Sequence, residues 1–183
     1  MTENPWKIKS TKEHYDNPWV NVVEHQVINP AGNPGIYSVV HFKNLAICVL
    51  PLDDDNNTWI VGQYRFPVEQ YSWEIPEGGG PLADDPLDSA KRELLEECGI
   101  IARQWTEIAT CHLSNSGTDE RAIVYVAKGL SFHDSSPEET EILHVRKIPF
   151  EELFQMVMNN EVMDAPTIIA VLKAKQLMLA GII

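Results

Sequence analysis

The sequence predicts an α+β domain built on a mixed β-sheet. Three observations carry that prediction. Short apolar runs of strand length recur along the chain, one amphipathic helix stands mid-chain with two more at the C-terminus, and strands and helices do not alternate as a doubly wound sheet requires. At 183 residues, 44% of them hydrophobic, the chain can bury one core. It is read as an N-terminal extension over residues 1–18 and one domain over 19–183.

The elements follow in order. Residues 1–15 are polar and mixed in charge, without the apolar core of a secretory signal. No apolar run approaches the ~20 residues of a membrane span, so the expectation is a cytoplasmic protein with no membrane partner. Val20–Ile28 reads as a strand, and the Asn, Pro and Gly cluster at 29–35 as a turn. Residues 36–42 resume as a strand, 45–52 form a strongly apolar one, 53–57 a hairpin loop and 58–65 the return strand. Two prolines and three consecutive glycines make 66–80 irregular. Pro86–Cys98 is a helix. Residues 105–111, 121–127 and 141–148 read as strands, and Phe150–Met158 and 166–180 as helices.

Acidic residues outnumber basic ones 27 to 14, for a net charge of −13. Such a surface repels nucleic-acid phosphates and anionic membranes. An anionic substrate therefore needs a local cation, and a bound metal ion is the simplest source. Cys48, Cys98 and Cys111 are odd in number and form no C-x-x-C pair, so free, buried thiols are expected rather than a disulfide or zinc site.

The helix at Pro86–Cys98 has sound local signals. Asp85 can cap it, Pro86 suits its first position and Gly99 can end it. Leu87, Ala90, Leu94 and Cys98 make its apolar stripe. Its acidic end is anomalous. Glu93, Glu96 and Glu97 share about one face, and like charges at i,i+4 are unfavourable by ~0.2–0.5 kcal/mol. Glu96 and Glu97 also lie in the last turn, where the helix dipole disfavours anions. A solvated acidic face is the ordinary explanation. Against it, these carboxylates abut the apolar stripe, at the edge of the core. Clustered carboxylate oxygens on a rigid helix suit magnesium.

Gly78, Asp84 and the run Arg92 to Ile100 carry a resemblance. With their gaps they read G-x5-D-x7-R-E-L-L-E-E-C-G-I, which resembles the Nudix box G-x5-E-x7-R-E-U-x-E-E-x-G-U, where U is apolar. Asp84 in place of glutamate is the one departure. It keeps the charge with a shorter reach, so it is read as a loop support or a ligand through water. The resemblance implies an α/β/α sandwich with a mixed sheet, with Mg2+ (or Mn2+) held by Glu93, Glu96 and Glu97. Arg92 would orient the glutamates, Glu96 would share in catalysis, and Gly78 and Gly99 would supply backbone geometry. Beyond the box, Gln63 to Pro67, Trp73 to Gly78, Ser114 to Arg121 and Val162 to Thr167 resemble segments of ADP-ribose and nucleoside diphosphate sugar pyrophosphatases, although Asn115 stands where proline is usual.

That subgroup implies hydrolysis of a nucleoside diphosphate sugar to a nucleoside monophosphate and a sugar phosphate, by a homodimer. GDP-mannose, a dinucleoside polyphosphate, or a non-catalytic sensing role are the alternatives. Glu139 to Glu141 resemble the acidic loop of the subgroup, with Glu139 as general base and Glu141 as a further metal ligand. Loop register leaves Glu138 as an alternative base. Arg65 is read either as a grip on phosphate or sugar or as a structural salt bridge, and Arg121 likewise. Trp19 is a candidate for stacking on the nucleobase. Trp59, Trp73 and Trp105 are core candidates.

Overall fold

A computed structural model describes residues 3–135 and 142–183. The chain divides into two compact units, Met1–Asn44 with His112–Glu120, and Leu45–Cys111 with Arg121–Ile183.

The first unit holds an antiparallel sheet of β1 (Lys7–Asp16), β2 (Val20–Ile28) and β3 (Pro34–Phe42), in that order. The connections form where asparagine competes for backbone donors. Asn17 Oδ1 accepts from the N–H of Trp19 and Val20, and Asn29 Oδ1 from Ala31 and Asn33. β1 was not expected as a strand. It is exposed along its whole length, so no buried face marks it with an apolar alternation. Its pairing with β2, from Lys7 opposite Ile28 to Asp16 opposite Asn21, defines it instead.

The second unit contains two sheets. One has the order β10 (His144–Pro149), β5 (Asn57–Arg65), β6 (Gln70–Glu74). The other has the order β7 (Glu77–Pro81), β4 (Asn44–Pro51), β9 (Arg121–Phe132), β8 (Ile100–His112), with β4 and β9 parallel. The segment expected to be irregular thus contributes a short 3-10 turn, Phe66–Val68, and two short strands. β8 and β9 also run longer than expected.

β4 and β9 are continuous apolar runs because both their faces are covered. Leu45, Ile47, Val49, Ile123 and Tyr125 pack with Ala90 and Leu94 of α1 (Pro86–Cys98). The alternate residues Cys48, Leu50, Val124 and Val126 pack with Leu153 and Val157 of α2 (Phe150–Met158) and with Ala170, Val171 and Ala174 of α3 (Ala165–Leu179). This is the expected α+β architecture, an α/β/α sandwich. Trp59 lies in the first cluster, and Trp73 and Trp105 pack at the core's margins. All three cysteines are free, Cys48 fully buried and the other two half-buried.

Candidate functional site

α1 forms as its sequence directs. Asp85 accepts from the Leu87 N–H at 2.9 Å, Pro86 occupies the first turn, and Gly99 ends the helix at φ +64°. Gly99 is demanded twice over, because a Cβ there would also run into the carbonyl oxygen of His133. No basic residue stands in the last turn, so the dipole penalty on Glu96 and Glu97 is not relieved from that source.

The carboxylates of α1 turn toward β7 and into the protein. Glu93 and Glu97 are buried, 8% and 2% exposed, and Glu96 is half-buried. A merely solvated acidic face does not account for that burial. Gly78 makes room for it, since a Cβ at that position would collide with the Glu93 carboxyl group. Arg92 reaches three acceptors: Glu93 at 2.7 Å, Glu96 at 2.9 Å and the Gly79 carbonyl at 2.8 Å. Burial works against its charge, but Glu93 and Glu96 raise its pKa on balance. The Glu77 N–H donates to Glu97 Oε2 at 3.0 Å. Helix and glycine strand are therefore tied by two hydrogen bonds, Arg92 to Gly79 and Glu77 to Glu97. Asp84 is exposed, in the turn before α1.

A second group, which the sequence did not bring together, meets this face at Glu77. Arg65 meets both oxygens of Glu74, at 3.1 and 3.0 Å through Nε and 2.5 Å through Nη2, and Glu77 at 2.8 Å. Glu74, Glu77 and Asp164 bring carboxylate oxygens within 4.8 Å of one another. Burial pushes the Glu77 carboxyl well above the usual range, and Asp164 and Glu74 add to it. Burial raises Asp164 as well. Burial alone would lower the Arg65 pKa, and Glu74 and Glu77 more than reverse that. Arg65 thus has the salt-bridge geometry, with its side chain still 36% exposed. Asp164, like Asp85, caps a helix with a Pro in its first turn, one residue later than at Asp85, and that is the signal in the sequence for this residue.

Of the remaining expected site residues, Arg121 and Trp19 are among the described residues. Arg121 is exposed at the start of β9. Trp19 is 65% exposed and belongs to the first unit. Glu138, Glu139 and Glu141 lie outside the described residues.

The donor set on α1 is all oxygen, anionic and rigidly held. Its chemistry fits a hard divalent cation such as magnesium rather than a thiolate-seeking metal.

The family model "NUDIX domain" matches residues 42–170, and "Nucleoside diphosphate sugar hydrolase N-terminal domain" matches residues 6–40. A protein of Bacillus subtilis (strain 168) named ADP-ribose pyrophosphatase is 34% identical over 128 residues, 69% of each chain. One of Bacillus methanolicus named methanol dehydrogenase activator is 33% identical over 167 residues, 90% of each chain. A solved structure described as an ADP compounds hydrolase superposes with a TM-score of 0.87 over 100% of both chains at 18% identity, a likeness of fold. With the box residues standing together on α1 and β7, and the domain match spanning most of its length, this chain belongs to the Nudix hydrolase family.

Proposed function

We propose that this enzyme hydrolyses the pyrophosphate bond of a nucleoside diphosphate sugar of the ADP-ribose kind, yielding a nucleoside monophosphate and a sugar phosphate. The observation that carries the reading is the buried Glu93–Glu97 pair, held against Gly78 by Arg92 and the Glu77 N–H. The Bacillus subtilis relative named ADP-ribose pyrophosphatase and the N-terminal match at 6–40 support the substrate class.

Glu93, Glu96 and Glu97, with Glu141, would hold Mg2+, and Mn2+ would serve in its place. Such a cation supplies charge neutralisation to a diphosphate and acidifies an attacking water. The chain's own residues do the rest. Arg92 fixes the rotamers of Glu93 and Glu96 through charge-assisted hydrogen bonds. Glu139 takes the proton of the attacking water, with Glu138 the competing assignment. The exposed parts of Arg65 and Arg121 meet phosphate or sugar oxygens, and the exposed Trp19 ring stacks on the base.

The net charge of −13 supports a small-molecule partner over nucleic acid. No helix among the described residues is long and apolar enough to cross a membrane, and a cytoplasmic enzyme is proposed. A homodimer is proposed on the exposed Ile8, Tyr15 and Ile36 of the first unit, to be checked by light scattering.

The deciding test incubates wild type and Glu97→Gln with Mg2+ and ADP-ribose, GDP-mannose, UDP-glucose or a dinucleoside polyphosphate, and separates the products. Nucleoside monophosphate released from ADP-ribose by wild type, and lost by about 100-fold or more in Glu97→Gln, is the expected result. Turnover of GDP-mannose or a dinucleoside polyphosphate instead overturns the substrate assignment. Ligand-dependent thermal stabilisation with no turnover of any of them overturns catalysis in favour of sensing.

A further inference from the structure

The residues joining β6 to β7 cross between two sheets. β6 is hydrogen-bonded in the sheet of β5 and β10, β7 in the sheet of β4, β9 and β8. Among the described residues no ladder spans the crossing, so the position of Ile75 and Pro76 is set by individual contacts. The Val49 N–H donates to the Pro76 carbonyl at 2.8 Å. Arg65 ties down the side chains on either side, Glu74 and Glu77. The third contact comes from 92 residues further along the chain, where the Ile75 N–H donates to Thr167 Oγ1 at 3.0 Å.

Thr167 is held to do this. It is fully buried in the first turn of α3, and its own N–H donates to the capping carboxylate of Asp164 at 2.8 Å. The Thr167 oxygen accepts from the Ile75 N–H while the Thr167 backbone is pinned at the cap, so the Ile75 amide is held to the start of α3. Two residues later the Glu77 N–H meets Glu97 Oε2 at 3.0 Å. A displaced Ile75 would carry the Glu77 amide with it and release the orientation of the Glu97 carboxylate.

We propose that Thr167 is a positioning residue for the cation site. Its hydroxyl sets the β6–β7 crossing, and through the Glu77 N–H it aims Glu97. The proposal rests on the reading of Glu97 as a metal ligand. It adds that affinity for the ion depends on a side chain on α3 that is not itself one of the proposed ligands.

The test is a Mn2+ titration of the substrate-free full chain, followed by the loss of the free-ion EPR signal. Wild type is compared with Thr167→Val, Thr167→Ser and Glu97→Gln, and circular dichroism verifies folding. Val matches the shape of Thr but removes the acceptor, whereas Ser keeps it. Thr167→Val is expected to weaken Mn2+ binding about 10-fold or more, with Thr167→Ser within about twofold of wild type. Lowered thermal stability in Thr167→Val, with Mn2+ affinity unchanged while Glu97→Gln loses it, overturns the positioning role and leaves the metal reading intact. Unchanged affinity in Glu97→Gln overturns the metal reading, and the proposal with it. If Thr167→Val does not fold, Thr167→Cys, whose thiol is a weak acceptor, takes its place and is held to the same outcomes.

Discussion

The backbone N–H of Glu77 lies 3.0 Å from Oε2 of Glu97, twenty positions further on. One residue belongs to a glycine-rich strand and the other to the last turn of α1. That hydrogen bond, with the Arg92 contacts to Gly79, Glu93 and Glu96, makes the strand and the helix one rigid platform. The platform keeps carboxylates inside the protein that would otherwise turn out to water.

Gly78→Ala tests the close approach on which this platform depends. The added methyl would meet the Glu93 carboxyl group, which Arg92 holds on its other side. The expected outcome is a loss of about 1–3 kcal/mol in stability, together with weakened metal binding. Chemical denaturation and a metal titration measure the two effects separately.

Arg65→Ala would leave Glu74, 2% exposed, without its guanidinium partner. Breaking such a pair from one side is expected to destabilise by about 3 kcal/mol. Arg65→Lys should recover only part, because one ammonium cannot meet both Glu74 oxygens and Glu77 in the same geometry. A substrate KM that rises more than stability falls would show that Arg65 also touches substrate. An unchanged KM in folded Arg65→Lys would confine it to the salt bridge.

Acid should loosen the hairpin that joins β4 to β5. Burial alone would raise the Asp53 pKa, but hydrogen bonds from Lys147 and Asn57 bring it down to about 2 from 3.8. A folded-state pKa below the unfolded one stabilises the protein at pH values above the unfolded value. That contribution is lost as pH falls from about 4 toward 2. Lys147 is half exposed, so water screens the pair and the contribution is about 1 kcal/mol. Stability curves for wild type and Asp53→Asn should differ near neutral pH and converge at about pH 2.

Thr58→Val should raise stability. Thr58 is fully buried in β5, and its hydroxyl oxygen has no hydrogen-bond partner among the described residues. Valine keeps the shape and the β-branch while removing a desolvated polar atom. A gain of about 1 kcal/mol is expected in urea denaturation. A loss of that size would mean that the hydroxyl has found a partner.

Much of the site was legible because the information is local. The cap at Asp85, the stop at Gly99, the apolar stripe and the shared face of Glu93, Glu96 and Glu97 all follow from the spacing of residues within one helix. The spacing from Gly78 to Ile100 identifies the family without any fold, and the unbroken apolar runs of β4 and β9 mark central strands. By contrast, β1 carries no pattern, because no face of it is buried and its pairing lies in backbone hydrogen bonds. β6 and β7 were obscured by the glycines and prolines that let the chain cross between sheets.

What only the tertiary structure decided is which charges are buried and what holds them there. The sequence places Arg65, the Glu74–Glu77 stretch and Asp164 on three separate segments, each as plausible in water as in a cluster. Folding brings three carboxylates around one guanidinium, and carries Thr167 to Ile75 across 92 residues. Helical spacing acts within a few residues, whereas electrostatic pairing and desolvation act through space. The box was therefore written in the sequence, and the network that aims it exists only once the chain has folded.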